Sequence, residues 1–127
     1  MNTSRRHLTF DEVFNPEFLA ESYRSSGPDV LRRVVNDFFD FAQEDFASAS
    51  LALARGNFEQ VEASARNLAV AALDLSFQRI AREAIILATI RSSDSPAIER
   101  LSEQMKSTRE AVLRWIDDNA YSLRMAQ

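Results

Sequence analysis

Apolar residues recur at spacings of three and four along most of the chain, which is the period of an amphipathic α-helix. The longest such run begins at Pro28 or Asp29 and ends at about Arg55. Its apolar positions are Leu31, Val35, Phe38, Phe39, Ala42, Phe46, Ala49 and Leu53. Gly56 follows directly and suits a left-handed helix C-cap. The pattern therefore predicts one long helix that ends before Gly56.

A short helix is predicted before this long one. Asn15 can cap its first turn, Pro16 suits the first helical position, and Glu17 complements the helix dipole. We expect it to end at about Tyr23, because residues 25–28 read Ser-Ser-Gly-Pro, a strong helix break.

Another helix is predicted to start near Asn57 or Phe58. Its apolar positions form a seam suited to the inside of a helical bundle: Val61, Ala65, Leu68, Ala72 and Leu75. The apolar run continues from Phe77 to about Ile90, with a bend expected near Ser76.

The last helix is predicted after a loop at residues 91–96, where Ser95 can act as N-cap and Pro96 suits the first helical position. Its inward positions are Ile98, Leu101, Met105, Thr108, Val112, Trp115 and Ile116. We expect this helix to fray beyond Asp118.

These elements predict an all-α fold: an antiparallel four-helix bundle with a short additional N-terminal helix. The 127 residues suffice for one domain with a single core. We expect an N-terminal arm over residues 1–13, the helical bundle over residues 14–118, and a C-terminal tail over residues 119–127.

Composition narrows the classes of function. The net charge of −4 argues against nucleic acid as a partner, because no basic stripe is available for phosphates. The absence of cysteine excludes disulfides and thiolate metal sites. The longest apolar stretch, residues 84–90, is too short to span a membrane, and the first residues do not resemble a signal peptide. We therefore expect a cytoplasmic protein with no membrane partner.

Candidate chemistry is sparse. His7 is the only histidine and lies in the polar N-terminal arm, which argues against nucleophilic catalysis with a histidine base. A solvated helix face is the simplest interpretation of the acidic cluster Asp37, Asp40, Glu44 and Asp45, since no histidine pair accompanies it. The sequence thus predicts no catalytic residue, no metal and no cofactor.

Residues 65–81 read ARNLAVAALDLSFQRIA. Without a gap, they resemble the phosphoacceptor helix of histidine-containing phosphotransfer (HPt) domains, whose pattern is A-H-x-L-K-G-x-x-x-x-L-G-x-x-x-L-A. The preceding residues 51–58, LALARGNF, resemble the family's A-L-x-x-G-D turn. This resemblance implies an HPt-like four-helix bundle.

The departures from that pattern fall on its reactive positions. Arg66 stands at the position of the phosphoacceptor histidine, Ala69 at that of the lysine, and Val70 at that of the neighbouring glycine. Arginine offers donors and no lone pair, so it cannot accept a phosphoryl group as imidazole does. The resemblance therefore implies a degenerate member of the family that keeps the scaffold and has lost the chemistry.

Helical spacing places one stripe beside the buried seam, and its members are Glu62, Arg66, Ala69, Val70, Leu73 and Phe77. We predict that this stripe binds a partner, since the family exposes the same stripe until a receiver domain docks. The alternative is that another helix or the N-terminal arm covers it. Arg66 also has two interpretations: it meets an acidic receiver pocket or a partner's carboxylate, or it pairs with Glu62 one turn earlier.

The predicted function is a non-catalytic HPt-like adaptor or modulator in two-component phosphorelay signalling. It would bind a response-regulator receiver domain or a histidine kinase without accepting phosphate. The alternative is a self-associating helical interaction module that forms a homodimer and has no phosphorelay role. A third hypothesis, active phosphotransfer through a residue other than Arg66, predicts an acid-labile phosphate, and we expect none.

Overall fold

The structure, a computed structural model, describes residues 13–126, and side chains within residues 13–120. The described residues form five α-helices and no strand: α1 Pro16–Ser26, α2 Pro28–Ala54, α3 Phe58–Asp74, α4 Gln78–Ala88 and α5 Ala97–Ala126. The predicted all-α class is therefore confirmed. Most of the predicted N-terminal arm, including His7, lies outside the described residues, as does Gln127.

Local capping explains where α1 and α3 begin. The Asn15 side chain accepts hydrogen bonds from the backbone of Glu17 at 2.9 Å and of Phe18 at 3.4 Å. Asn57 does the same for the backbone of Gln60 at 3.2 Å. These bonds satisfy donors that a helix start leaves free, so the predicted starts of both helices are confirmed.

The end of α2 also follows the sequence. Gly56 has φ +71°, a conformation that glycine adopts without steric strain. The backbone of Asn57 donates to the Ala52 carbonyl at 2.9 Å, which satisfies one of the last free carbonyls of α2. The predicted left-handed turn at Gly56 is confirmed.

Two helix ends differ from the predictions. Helix α1 continues to Ser26, past Tyr23, and the Ser25 hydroxyl donates to the Glu21 carbonyl at 2.9 Å. Helix α5 continues to Ala126, past Asp118, and the Asn119 side chain donates to the Trp115 carbonyl at 2.9 Å. In both cases the side chain adds a second donor to a carbonyl inside the helix.

The bend predicted near Ser76 is a complete break between α3 and α4. Ser76 has φ +62°, in the left-handed region that non-glycine residues seldom adopt. The Phe77 backbone donates to the Ala72 carbonyl at 2.8 Å, and the Ser76 hydroxyl accepts from the Asn15 backbone at 3.0 Å. These bonds close the end of α3 and attach the start of α1 to the turn.

The helices pack in a closed ring, in which α2 contacts α3, α3 contacts α4, α4 contacts α5, and α5 contacts α2. Arg32 of α2 pairs with Asp117 of α5 at 3.0 Å, and Glu83 of α4 pairs with Arg100 of α5 at 3.3 Å. Helix α1 packs on α2. This arrangement is compatible with a helical bundle.

The aromatic ring of Phe77 is completely buried in the core. Its centroid lies 5.1 Å from that of Phe38 and 5.7 Å from that of Phe39, in edge and stacked geometry respectively. Leu19 of α1 and Phe14, which precedes that helix, are also fully buried.

The described helices include none that is both long and apolar enough to cross a membrane.

We expect Phe77→Ala to lower the free energy of unfolding by about 3–5 kcal/mol, because it removes a fully buried ring and leaves a cavity. Val70→Ala is the matched control, since Val70 lies on the surface of α3 and alanine favours helix. Urea unfolding followed by circular dichroism measures both. Similar stabilities for the two variants would contradict the central position of Phe77.

Candidate binding surface on helix α3

The predicted stripe lies beside the buried seam of α3, and only part of the stripe is exposed. Val70 is 62% exposed, Leu73 is 56% exposed, and the Arg66 side chain is 66% exposed. Glu62 is partly exposed. These four residues share one side of α3 and are called the α3 patch below.

The other two residues of the stripe lie in the core, so their placement on a continuous exposed strip is corrected. Ala69 is buried, since it lies one helical turn from the buried seam residues Ala65 and Ala72. Phe77 is buried because the break at Ser76 ends the helical period that would have carried the stripe further. Neither side chain is available to a partner in this structure.

A carboxylate between two guanidinium groups forms the polar end of the α3 patch. Arg66 Nε donates to Glu62 Oε2 at 2.9 Å, and Arg91 Nη2 donates to Glu62 Oε1 at 3.1 Å. The pairing of Arg66 with Glu62, one of the two interpretations of this arginine, is thus present. Arg91 also donates to the carbonyls of Ala88 at 3.2 Å and Ile90 at 2.8 Å, which anchors its side chain beside the end of α4.

The two arginines of this cluster lower the pKa of Glu62. The hydrogen bond from Arg66 holds the pKa of Glu62 below its ordinary value of about 4.5, and the charge of Arg66 and the contact with Arg91 act in the same direction. Glu62 therefore stays ionised at neutral pH, and two positive charges surround one negative charge. The cluster suits contact with a negatively charged surface.

The α3 patch presents hydrogen-bond donors and apolar surface. Arg66 presents donors at the position that resembles the acceptor site, and its side chain has no atom that attacks a phosphoryl group. Among residues 13–120, no three histidine, cysteine or acidic side chains are grouped so as to hold a metal ion. Apolar contact and charge-assisted hydrogen bonds are what the patch can supply.

Sequence reasoning missed two features: the contact of Arg91 with Glu62 and the exposure of Ile85 on α4. For Ile85 the signal was present in residues 84–88, Ala-Ile-Ile-Leu-Ala, since five consecutive apolar residues exceed what one helix face can bury.

Comparison of the chain with protein-family models, with curated proteins and with solved structures finds no match. The resemblance to HPt domains therefore rests on residues 51–58 and 65–81 and on the order and spacing of the helices predicted over residues 14–116.

We expect Glu62→Gln to be less stable than the parent at pH 7, with a difference that shrinks as the pH falls below about 4.5. A carboxyl group whose pKa is lowered by folding contributes stability above its unfolded pKa and loses it as the pH falls through the folded pKa. The effect should be small, because exposed ion pairs contribute little.

Urea unfolding at a series of pH values measures this difference. Glu103→Gln is the control, because Glu103 is exposed on α5 and forms no ion pair among the described residues. A Glu62→Gln effect that persists unchanged at pH 3 would show that the carboxylate charge is not its cause.

Proposed function

We propose that this protein is a non-catalytic HPt-like adaptor or modulator in two-component phosphorelay signalling. It binds a receiver domain or a histidine kinase through the α3 patch, in the cytoplasm, and accepts no phosphoryl group. One observation carries the proposal: where the HPt pattern has its phosphoacceptor histidine, an exposed arginine stands beside two exposed apolar side chains.

The apolar part of the patch supplies the affinity in this proposal. Val70 and Leu73 are three residues apart, so they lie on one face of α3, and each exposes more than half of its side chain. Complete burial of a valine or leucine side chain contributes about 1.5–3 kcal/mol. An arginine beside buried apolar contacts is a frequent composition of binding hot spots.

Arg66 supplies the polar recognition. Its exposed pairing with Glu62 is weak, so a carboxylate of a partner can replace or share it at little expense in free energy. Receiver domains present acidic side chains where an HPt domain docks, and the resemblance implies the same for a partner of this chain. Arg91 adds a second positive charge beside the first.

The scaffold in this proposal is an antiparallel four-helix bundle formed by α2 to α5. Three contacts support that orientation: the start of α2 reaches late α5 through Arg32 and Asp117, α4 reaches the start of α5 through Glu83 and Arg100, and Ser48 of α2 bonds Ser64 of α3 across the turn at Gly56. The left-handed backbone at Ser76, where the HPt pattern carries glycine, is a further supporting feature.

Self-association is the second candidate function, and the same exposed pair favours it. In a two-fold dimer, Val70 and Leu73 of one copy would contact the same residues of the other. Sedimentation equilibrium separates the two candidates, because a mass that stays monomeric at all concentrations removes the dimer. A dimer that Val70→Glu dissociates would replace the adaptor proposal.

We expect Val70→Glu and Leu73→Glu to weaken partner binding by about tenfold or more, because each places a charge in a contact that excludes water. The partners tested are purified receiver domains and histidine-kinase phosphotransfer domains from the same genome, and calorimetry measures the affinity. Circular dichroism should show unchanged helicity, since both positions are exposed.

Leu51→Glu is the matched control for these variants. Leu51 is 53% exposed on α2, close to the exposure of Leu73, and it lies outside the α3 patch. It should bind the partner as the parent does. Normal binding by both patch variants would contradict the proposed interface.

We also expect no transfer of phosphate to this chain from a phosphorylated receiver domain. Arg66 offers no acceptor lone pair, and nothing else in the α3 patch replaces the missing imidazole. Incubation with a radiolabelled phosphorylated receiver domain, followed by an acid-lability test, measures the transfer. The companion variant Arg66→His places an imidazole at the position that resembles the acceptor site. Acid-labile label on the parent chain would contradict the non-catalytic assignment.

A further inference from the structure

Three exposed apolar side chains follow one face of α2. They are Val30, Val34 and Phe41, and Phe41 is 67% exposed, more than any other large apolar side chain in residues 13–120. Their spacings of four and seven residues place them in one row along the helix. Asp37 and Asp45 belong to the same row, one turn before and one turn after Phe41. These five residues are called the α2 row below.

The α2 row lies on the side of α2 that faces α3. Ser48 comes seven residues after Phe41, on the same face, and accepts a hydrogen bond from the Ser64 hydroxyl of α3 at 3.0 Å. Helix α3 continues beside α2 from Ser64, and within its residues 67–75 the only charged residue is Asp74. This neighbouring segment therefore adds no positive charge to the row.

The charge along this part of α2 has one sign. The helix carries no basic residue between Arg33 and Arg55. Asp37, Glu44 and Asp45 form no ion pair within residues 13–120. The exposed apolar side chains are therefore flanked by negative charges that no ion pair in the described part of the chain neutralises.

The ionisation of Asp45 responds to this surrounding. Partial burial raises the pKa of Asp45 above its ordinary value of about 3.8, and the negative charge of Glu44 acts in the same direction. A basic group placed beside Asp45 would offset the effect of Glu44, because an opposite charge favours the ionised carboxyl group. Nucleic acid or an anionic membrane would instead add to the repulsion. The row therefore favours a positively charged ligand.

We propose that the α2 row docks a basic amphipathic helix of a partner protein. Apolar side chains of that helix cover Phe41 and Val34, and its lysine or arginine side chains pair with Asp37 and Asp45. The two carboxylates are eight residues apart, or about 12 Å along the axis, so a helix that lies along α2 matches them with basic residues eight apart.

Two features select this occupant. The acidic residues alone would form an ordinary solvated helix face, whereas the exposed Phe41 ring between them gives a partner apolar surface to bury. Their unbalanced negative charge makes the complementary partner basic. This interaction is separate from the proposed adaptor role, since it uses no residue of the α3 patch.

Three synthetic helices of about fifteen residues test the proposal, since that length spans about 22 Å and covers the row. The first carries leucine along one face with lysine on both sides of it. The second has glutamate in place of lysine, and the third has serine in place of leucine. We expect the first to cause saturable shifts of the backbone amides at residues 30–45 in two-dimensional NMR of the whole chain, and to bind about tenfold more tightly than the others.

Phe41→Ser should weaken binding of the lysine–leucine helix by about tenfold, because the contact loses its most exposed apolar side chain. Leu51→Ser is the matched control, since Leu51 is also exposed on α2 and lies outside the row. Circular dichroism should show the same helicity for both variants and the parent.

Asp37→Asn combined with Asp45→Asn should remove the preference for the lysine–leucine helix over its glutamate counterpart, because the charges that select lysine are gone. Glu99→Gln combined with Glu103→Gln is the matched control. Both of these residues are exposed on α5 and form no ion pair among the described residues. The control should keep the preference.

Equal binding of the lysine and glutamate helices, or full binding by Phe41→Ser, would overturn the proposal. No binding of the lysine–leucine helix at millimolar concentration would do the same, as would shifts confined to residues outside 30–45.

Two further results would overturn it by giving the row another occupant. Shifts at residues 30–45 that depend on protein concentration, without any synthetic helix, would indicate a second copy of the chain. Shifts there caused by Arg5→Glu combined with Arg6→Glu would indicate the chain's own residues 1–12, which lie outside the described residues.

Discussion

The break at Ser76 and the burial of Phe77 are the constraint on which the extent of the α3 patch depends. A left-handed residue at φ +62° ends α3, reverses the chain, and directs the Phe77 ring onto Phe38 and Phe39. The hydrogen bond from the Asn15 backbone to the Ser76 hydroxyl attaches α1 to the same turn. The exposed apolar part of α3 therefore ends at Leu73.

Arg66 is held by Glu62, which Arg91 also binds, so the proposed partner would have to compete with or share an existing contact. A paired cation next to exposed apolar side chains suits a protein surface.

Part of the candidate site could be predicted from the sequence. The pair of Glu62 and Arg66 follows from a spacing of four on one helix, and the exposure of Val70 follows from its distance around the helix from Leu68 and Ala72. Phe77 was misplaced because the expected strip assumed one helical period through Ser76, whereas Ala69 lies one turn from Ala65 and Ala72 of the buried seam. The contact between Phe39 and Arg109 was not predicted, since the two residues meet only after α2 and α5 pack.

The sequence by itself determined the helical class, the starts of α1 and α3 at Asn15 and Asn57, and the arginine at the position that resembles an acceptor histidine. These features depend on hydrogen bonds and side chains within about one helical turn, so neighbouring residues decide them. Only the tertiary structure decided which apolar residues stay exposed. Burial depends on contacts between residues far apart in the chain, and local spacing does not specify them.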